Sequence, residues 1–104
     1  MTTKEKEYKT FKEFYPFYLS EHQNSVCRLL HILGTSLVVL VLMLILFKSN
    51  FKLLIMLPII GYGFAWVGHF FFEKNRPASF KYPLYSFMGD WVMWWQVLTL
   101  KIKL

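Results

Sequence analysis

The sequence is poor in charged residues: 17% of its 104 residues are Asp, Glu, Lys or Arg, against about a quarter in an average soluble protein. Its hydrophobic content is 56%, and a chain of this length has a large surface that a soluble fold must cover with polar groups. The composition therefore disfavours a soluble enzyme and a disordered chain. The single cysteine, Cys27, cannot form an intrachain disulfide, which disfavours a disulfide scaffold.

Charge is absent from two long runs, residues 29–47 and 53–72, each of which approaches the roughly 20 apolar residues of a transmembrane helix. A third run, 82–100, contains one charged residue, Asp90. We therefore expect one all-α membrane domain over residues 1–104, a small helical bundle with an amphipathic N-terminal helix and two to three transmembrane helices. The predicted segments are an interfacial helix at about 8–20, transmembrane helices at 27–47 and 51–73, and a transmembrane or re-entrant helix at 82–101.

The segment before the first apolar run has aromatic residues at roughly helical spacing among Lys and Glu, as in a helix that lies among lipid headgroups. Pro16 predicts a break near Tyr15, because proline has no amide hydrogen to donate. Asn24 or Ser25 is expected to cap the first membrane helix.

The net charge of +6 is unevenly distributed along this topology. Eight basic residues fall on the side that holds the N-terminus and the loop 73–81, and four fall on the other side. Basic residues concentrate on the cytoplasmic side of membrane proteins, so we expect the N-terminus in the cytoplasm, and nucleic acid is not needed to explain the charge. The eight residues are Lys4, Lys6, Lys9, Lys12, Arg28, Lys74, Arg76 and Lys81.

The three histidines, His22, His31 and His69, fall near one end of the predicted helix pair. Glu73 lies four residues after His69 and shares its helix face. Three imidazoles near a carboxylate suit Zn, Fe or another first-row metal, and three ligands leave positions open for chemistry. The spacing is not specific, so each histidine could instead be an interfacial residue with one hydrogen-bond partner.

Asp90 is the charged residue inside the third apolar run. A carboxylate at that depth is costly and marks a function or an ion pair. It could orient a metal-bound histidine through the other ring nitrogen, or it could pair with Arg28 or Arg76.

Two blocks of the sequence resemble a family of small membrane proteins whose characterised fungal member is a 2-hydroxy fatty acid dioxygenase of fatty acid α-oxidation. The first block is FYPFYLSEH at 14–22, and it continues through Asn24, Arg28, His31 and 34–35. The second is GHFFFEKNRPA at 68–78. Fungal members carry further hydrophobic segments between the blocks, so this chain resembles a compact bacterial form, for which a multi-pass protein of the inner membrane is expected.

The resemblance implies Fe(II) as cofactor, O₂ and a 2-hydroxy fatty acid as substrates, and removal of one carbon without 2-oxoglutarate. It implies His22, His31 and His69 as iron ligands. Expected partners are membrane lipid and no nucleic acid. The remaining predicted site residues are Glu73 and Asp90 in catalysis or beside the ligands, and Arg28, Arg76, Asn24 and Asn75 in substrate binding, where an arginine would pair with the carboxylate.

Three other functions remain open at this level. The chain could be a non-catalytic membrane scaffold, or an electron carrier in which His31 and His69 bind haem. A zinc hydrolase is the third, because a carboxylate four residues from a ligand can act as its base.

Overall fold

The computed structural model describes residues 7–104, and it contains helices and no strand over that range. Four α-helices form the bundle: α1 (Phe11–Ser20), α2 (Ser25–Lys48), α3 (Met56–Val67) and α4 (Pro83–Leu98). Short elements join them, namely 3-10 helices at Phe51–Ile55 and Ala78–Phe80 and a π-helix at Gly68–Glu73. The all-α prediction is confirmed. Lys4 and Lys6, which entered the charge count, lie outside the described residues.

Helix α1 begins at Thr10, whose side chain accepts a hydrogen bond from the amide of Glu13 at 3.1 Å. The predicted break near Tyr15 is wrong, because α1 continues through Pro16 to Ser20. A proline inside a helix costs about 3 kcal/mol. We attribute the continuity to Phe14 and Tyr18, which are fully buried on the same helix and each contribute about 1.5–3 kcal/mol by burial.

Two helical segments are long and apolar enough to cross a membrane. They are Ser25–Lys48, with a mean hydropathy of 2.7, and Phe51–Glu73, with a mean hydropathy of 1.7. Few of their residues are buried, 28% and 11% of the most apolar window of each, unlike those of a core helix in a soluble protein. Helix α4 has 16 residues and is about 24 Å long, which is less than the roughly 30 Å of a bilayer core. Of the two to three predicted spans, two therefore qualify.

Helix α2 closely approaches α3 at Gly34 and the following π-helix at Gly68. A Cβ on Gly34 would lie 2.8 Å from Cβ of Phe64, and a Cβ on Gly68 would lie 3.0 Å from Sγ of Cys27. A side chain at Gly34 would force Phe64 to move, and one at Gly68 would press against Cys27, so glycine permits the close approach at both positions. The approach places His31, one turn before Gly34, opposite His69.

We expect Gly34→Ala to lower the stability of the protein by about 1–3 kcal/mol, because the added methyl overpacks against the base of the Phe64 side chain. The matched control is Gly63→Ala, since a Cβ there meets no atom within 4 Å and alanine favours the helix. Thermal unfolding in detergent would compare the two. Equal effects of both substitutions would contradict this account of the helix contact.

Candidate metal centre and adjoining cavity

Three elements bring the predicted histidines together. His22 follows α1, His31 lies in the second turn of α2, and His69 lies in the π-helix. All three side chains are buried. Nε2 of His22 lies 3.1 Å from Nε2 of His31 and 2.9 Å from Nε2 of His69. The ligand atoms that the three residues offer all lie within 4.8 Å of one another.

Each histidine turns its other ring nitrogen toward an oxygen. Nδ1 of His22 donates to the carbonyl oxygen of Tyr18 at 2.6 Å, and Nδ1 of His31 donates to that of Cys27 at 2.9 Å. Nδ1 of His69 donates to Oδ1 of Asn75 at 2.7 Å. These oxygens only accept hydrogen bonds, so each Nδ1 must carry the proton, and in a neutral ring Nε2 then presents a bare lone pair.

Three lone pairs therefore lie close together, an arrangement that a cation between them would stabilise. An extra proton on His22 is disfavoured, because its pKa lies well below the usual range. Burial is the larger cause of this lowering, and the nearby rings of His31 and His69 add to it. Imidazole nitrogens bind a metal at about 2.0–2.1 Å, and the distances from Nε2 of His22 to the other two Nε2 atoms are short enough for shared ligation of one ion. The three-histidine group could thus hold a metal ion, and its donor set fits one.

Asn75 holds His69 in this orientation. Its amide nitrogen donates to the carbonyl oxygen and to Oε2 of Glu21, both at 3.0 Å. These two bonds leave the amide oxygen facing His69 and so define the amide orientation. The backbone amide of Asn75 also donates to the carbonyl oxygen of His69 at 3.0 Å. The sequence placed Asn75 in substrate binding, whereas its contacts here are to a histidine of the centre.

A cavity of about 410 Å³ opens beside the histidines. Its walls along α2 and α3 are mainly apolar, and on α2 they extend from His31 to Leu42, which is about 16 Å along the helix axis. Among residues 7–104, no Lys or Arg contributes to its lining. The polar residues that line it are Tyr18, His22, His31, Thr35, Tyr62, His69, Ser79, Ser86 and Asp90.

Asp90 lines this cavity and is joined to the histidines through Tyr18. The hydroxyl of Tyr18 donates to Oδ1 of Asp90, and the Tyr18 ring stacks on His22 with the ring centroids 4.0 Å apart. Gly89 makes this possible, because a Cβ there would lie 2.9 Å from the Tyr18 ring. Asp90 thus has a tyrosine as partner where an arginine was considered. Burial raises the pKa of Asp90 to about 7, and the Tyr18 hydrogen bond opposes that rise.

Sequence reasoning missed Tyr18 as a site residue. It was assigned to the apolar face of an interfacial helix, yet it is 1% exposed and contacts both a histidine and the cavity acid. The available signal was its position four residues before His22, which places the two on one face of a helix.

Besides Asn75, four predicted site residues lie outside the cavity lining. Glu73 accepts a hydrogen bond from the backbone amide of Asn24, and the Asn24 side chain caps α2 by accepting from the amides of Val26 and Cys27. Arg28 donates to the carbonyl oxygen of His22 at 2.6 Å. Arg76 is exposed. These contacts join the helix ends around the centre, and the catalytic and substrate-binding roles of the four remain predictions.

The fold and the site together define a small helical protein with two potential membrane spans and a buried three-histidine centre. The chain matches the family described as 2-hydroxy-palmitic acid dioxygenase Mpo1-like over residues 8–102, and it belongs to that family. The resemblance seen in the two sequence blocks is thereby confirmed. Comparison with curated proteins and with solved structures found no match.

We expect Asn75→Ala to weaken metal binding by about 10- to 100-fold, the usual effect of removing the partner of a metal-binding histidine. His69 would lose the acceptor that holds its Nδ1 proton. Anaerobic titration of the metal-free protein with Fe²⁺ or Co²⁺ measures the change. Asn50→Ala is the matched control, because Asn50 is exposed and its side chain caps no helix. Unchanged affinity in Asn75→Ala would contradict the role given to this amide.

Proposed function

We propose that this protein is an Fe(II)-dependent membrane dioxygenase that shortens 2-hydroxy fatty acids by one carbon. The observation that carries the proposal is the convergence of three unprotonated Nε2 atoms at the end of an apolar cavity. Membership of the 2-hydroxy-palmitic acid dioxygenase Mpo1-like family supports the reaction class.

The donor set supports a catalytic metal. Three neutral imidazoles suit first-row metals including iron, and a three-ligand site keeps positions free for substrate and O₂. When bound, iron would activate O₂ and polarise the oxygens of the substrate. The hydrogen bonds of the three Nδ1 atoms fix the orientation of the rings before metal binds. Little free energy is then needed to arrange the ligands.

The cavity accounts for the substrate class. Its apolar walls on α2 and α3 suit an acyl chain, which gains about 0.8 kcal/mol per CH₂ removed from water. No Lys or Arg among residues 7–104 lines the cavity. The positive partner of a substrate carboxylate would therefore be the metal ion held by the three histidines. The acyl chain would then extend from that end toward Leu42 and Leu57.

The reaction breaks the bond between carbon 1 and carbon 2 of the hydroxy acid. It balances when one O₂ and one 2-hydroxy acid give the acid shorter by one carbon, CO₂ and water. The chain's own contribution is to hold the reacting carbons beside the histidines and to exclude bulk water with the buried Tyr18 and His22.

Two alternatives raised by the sequence fit the geometry less well. Haem ligands bind from opposite faces of the macrocycle, whereas His31 and His69 both contact His22 on one point and leave no gap for a porphyrin. A scaffold without metal would keep three lone pairs facing one another in a buried site, which is costly.

We further propose that the centre lies near the cytoplasmic face of the membrane. His31 is close to the start of one potential span and His69 is close to the end of the other. The basic residues Arg28, Lys74 and Arg76 flank that end, which is the pattern of a cytoplasmic side. An acyl chain could then enter from the lipid while its head stays at the centre.

We expect protein purified without oxygen to contain iron, and His69→Ala to lose most of it together with the shortening of 2-hydroxy-palmitic acid. Elemental analysis and mass spectrometry of the products measure the two effects. The control is Phe71→Ala, because Phe71 lies in the same π-helix, is 69% exposed and does not line the cavity.

Three results would contradict the proposal. Stoichiometric zinc with hydrolysis of an added ester would favour the hydrolase, and a haem absorption band would favour the electron carrier. Protein that contains no metal and unfolds at the same temperature with and without added metal would favour the scaffold.

A further inference from the structure

Ser86 has an unusual environment for a hydroxyl. It lies on α4, lines the cavity and is 5% exposed. Within residues 7–104 its Oγ is the buried side-chain polar atom that has no hydrogen-bond partner. Buried polar groups are nearly always paired, so an unpaired hydroxyl on a residue of the cavity wall has hydrogen-bonding capacity that a ligand could use.

Asp90 follows Ser86 by four residues, which places the two on one face of α4, and it lines the same cavity. Its Oδ1 accepts the hydroxyl of Tyr18. A carboxylate has about four lone-pair positions, so Asp90 can accept another hydrogen bond. Tyr18 thus holds the acid in place without using up its acceptor capacity.

A serine beside a carboxylate complements a hydroxyl group. A ligand hydroxyl accepts one hydrogen bond and donates another, so it can accept from Ser86 and donate to Asp90 together. A ligand carboxylate only accepts, so it has no hydrogen to donate to Asp90. An acyl chain offers neither group, which would leave Ser86 unpaired as before.

We propose that Ser86 and Asp90 bind the 2-hydroxyl group of the fatty acid and make the cavity selective for hydroxylated over unsubstituted acyl chains. Ser86 is the specificity-determining residue, and Tyr18 is a positioning residue that acts through Asp90. Oγ of Ser86 has almost no exposed surface in this structure, so this contact requires Ser86 to adopt another staggered χ1 position when the ligand binds. This inference rests on the proposed function, and it adds the hydrogen bonds that recognise the 2-hydroxyl group of the substrate.

The test measures binding of 2-hydroxy-palmitic acid and of palmitic acid to the iron-loaded protein without O₂, so that no turnover occurs. Displacement of a fluorescent fatty acid gives both affinities. We expect the native protein to favour the hydroxy acid. Ser86→Ala should reduce that preference by on the order of tenfold, because a ligand hydroxyl would lose its donor. The affinity for palmitic acid should stay the same.

Two further variants protect the test from a folding artefact. Ser86→Cys keeps the shape of the side chain but is a weak donor, so it should lose the preference as Ser86→Ala does. Ser20→Ala is the control, because Ser20 is exposed and its hydroxyl donates to the carbonyl oxygen of Phe17 in its own helix. Thermal unfolding should show no loss of stability in Ser86→Ala, since no hydrogen bond within the protein is removed.

The outcomes separate this inference from the function on which it rests. If the native protein prefers the hydroxy acid and Ser86→Ala keeps that preference, the role of Ser86 is wrong while the function stands. If the native protein binds neither acid, or binds both equally, the proposed substrate class fails and this inference fails with it.

Discussion

The structure depends on one constraint, the pairing of each histidine Nδ1 with an oxygen acceptor. The three acceptors come from different parts of the chain: the carbonyl oxygens of Tyr18 in α1 and Cys27 in α2, and the side chain of Asn75 after the π-helix. Because each oxygen fixes the proton on Nδ1, the three Nε2 atoms are left as acceptors that face one another. This arrangement is unfavourable without a cation. The hydrogen bonds of the fold therefore orient the three rings for metal binding.

The rest of the bundle serves that arrangement. The glycine contacts of α2 with α3 and the π-helix bring His31 and His69 to the same level, and Gly89 on α4 admits the ring of Tyr18 beside His22. The same helices leave a mainly apolar cavity that the three histidines and Asp90 help to line. A small protein with few charged residues can therefore combine a polar centre with a tail-binding space, since each polar side chain near the centre has a defined partner or faces the cavity.

The sequence predicted much of this and missed what depended on contacts between helices. It predicted an all-α bundle, two apolar spans and the convergence of the three histidines. It also predicted a break at Pro16 that does not occur, because burial of Phe14 and Tyr18 keeps α1 continuous. The substrate-binding roles of Arg28 and Arg76 stay predictions, because a residue's type does not reveal whether it faces a cavity, and neither lines this one.

Hydrophobic runs, charge distribution and the positions of His22, His31 and His69 are properties of the chain itself. These properties can be read from the sequence alone. They predict the helix lengths and the possible membrane spans, because both follow from local composition. The tautomers of the histidines, the stacking of Tyr18 on His22, the capture of Asp90 by Tyr18 and the unpaired hydroxyl of Ser86 were decided only by the tertiary structure. Each depends on which oxygen, ring or empty space a neighbouring helix places beside the residue. The positions of residues along the chain do not reveal these contacts between helices.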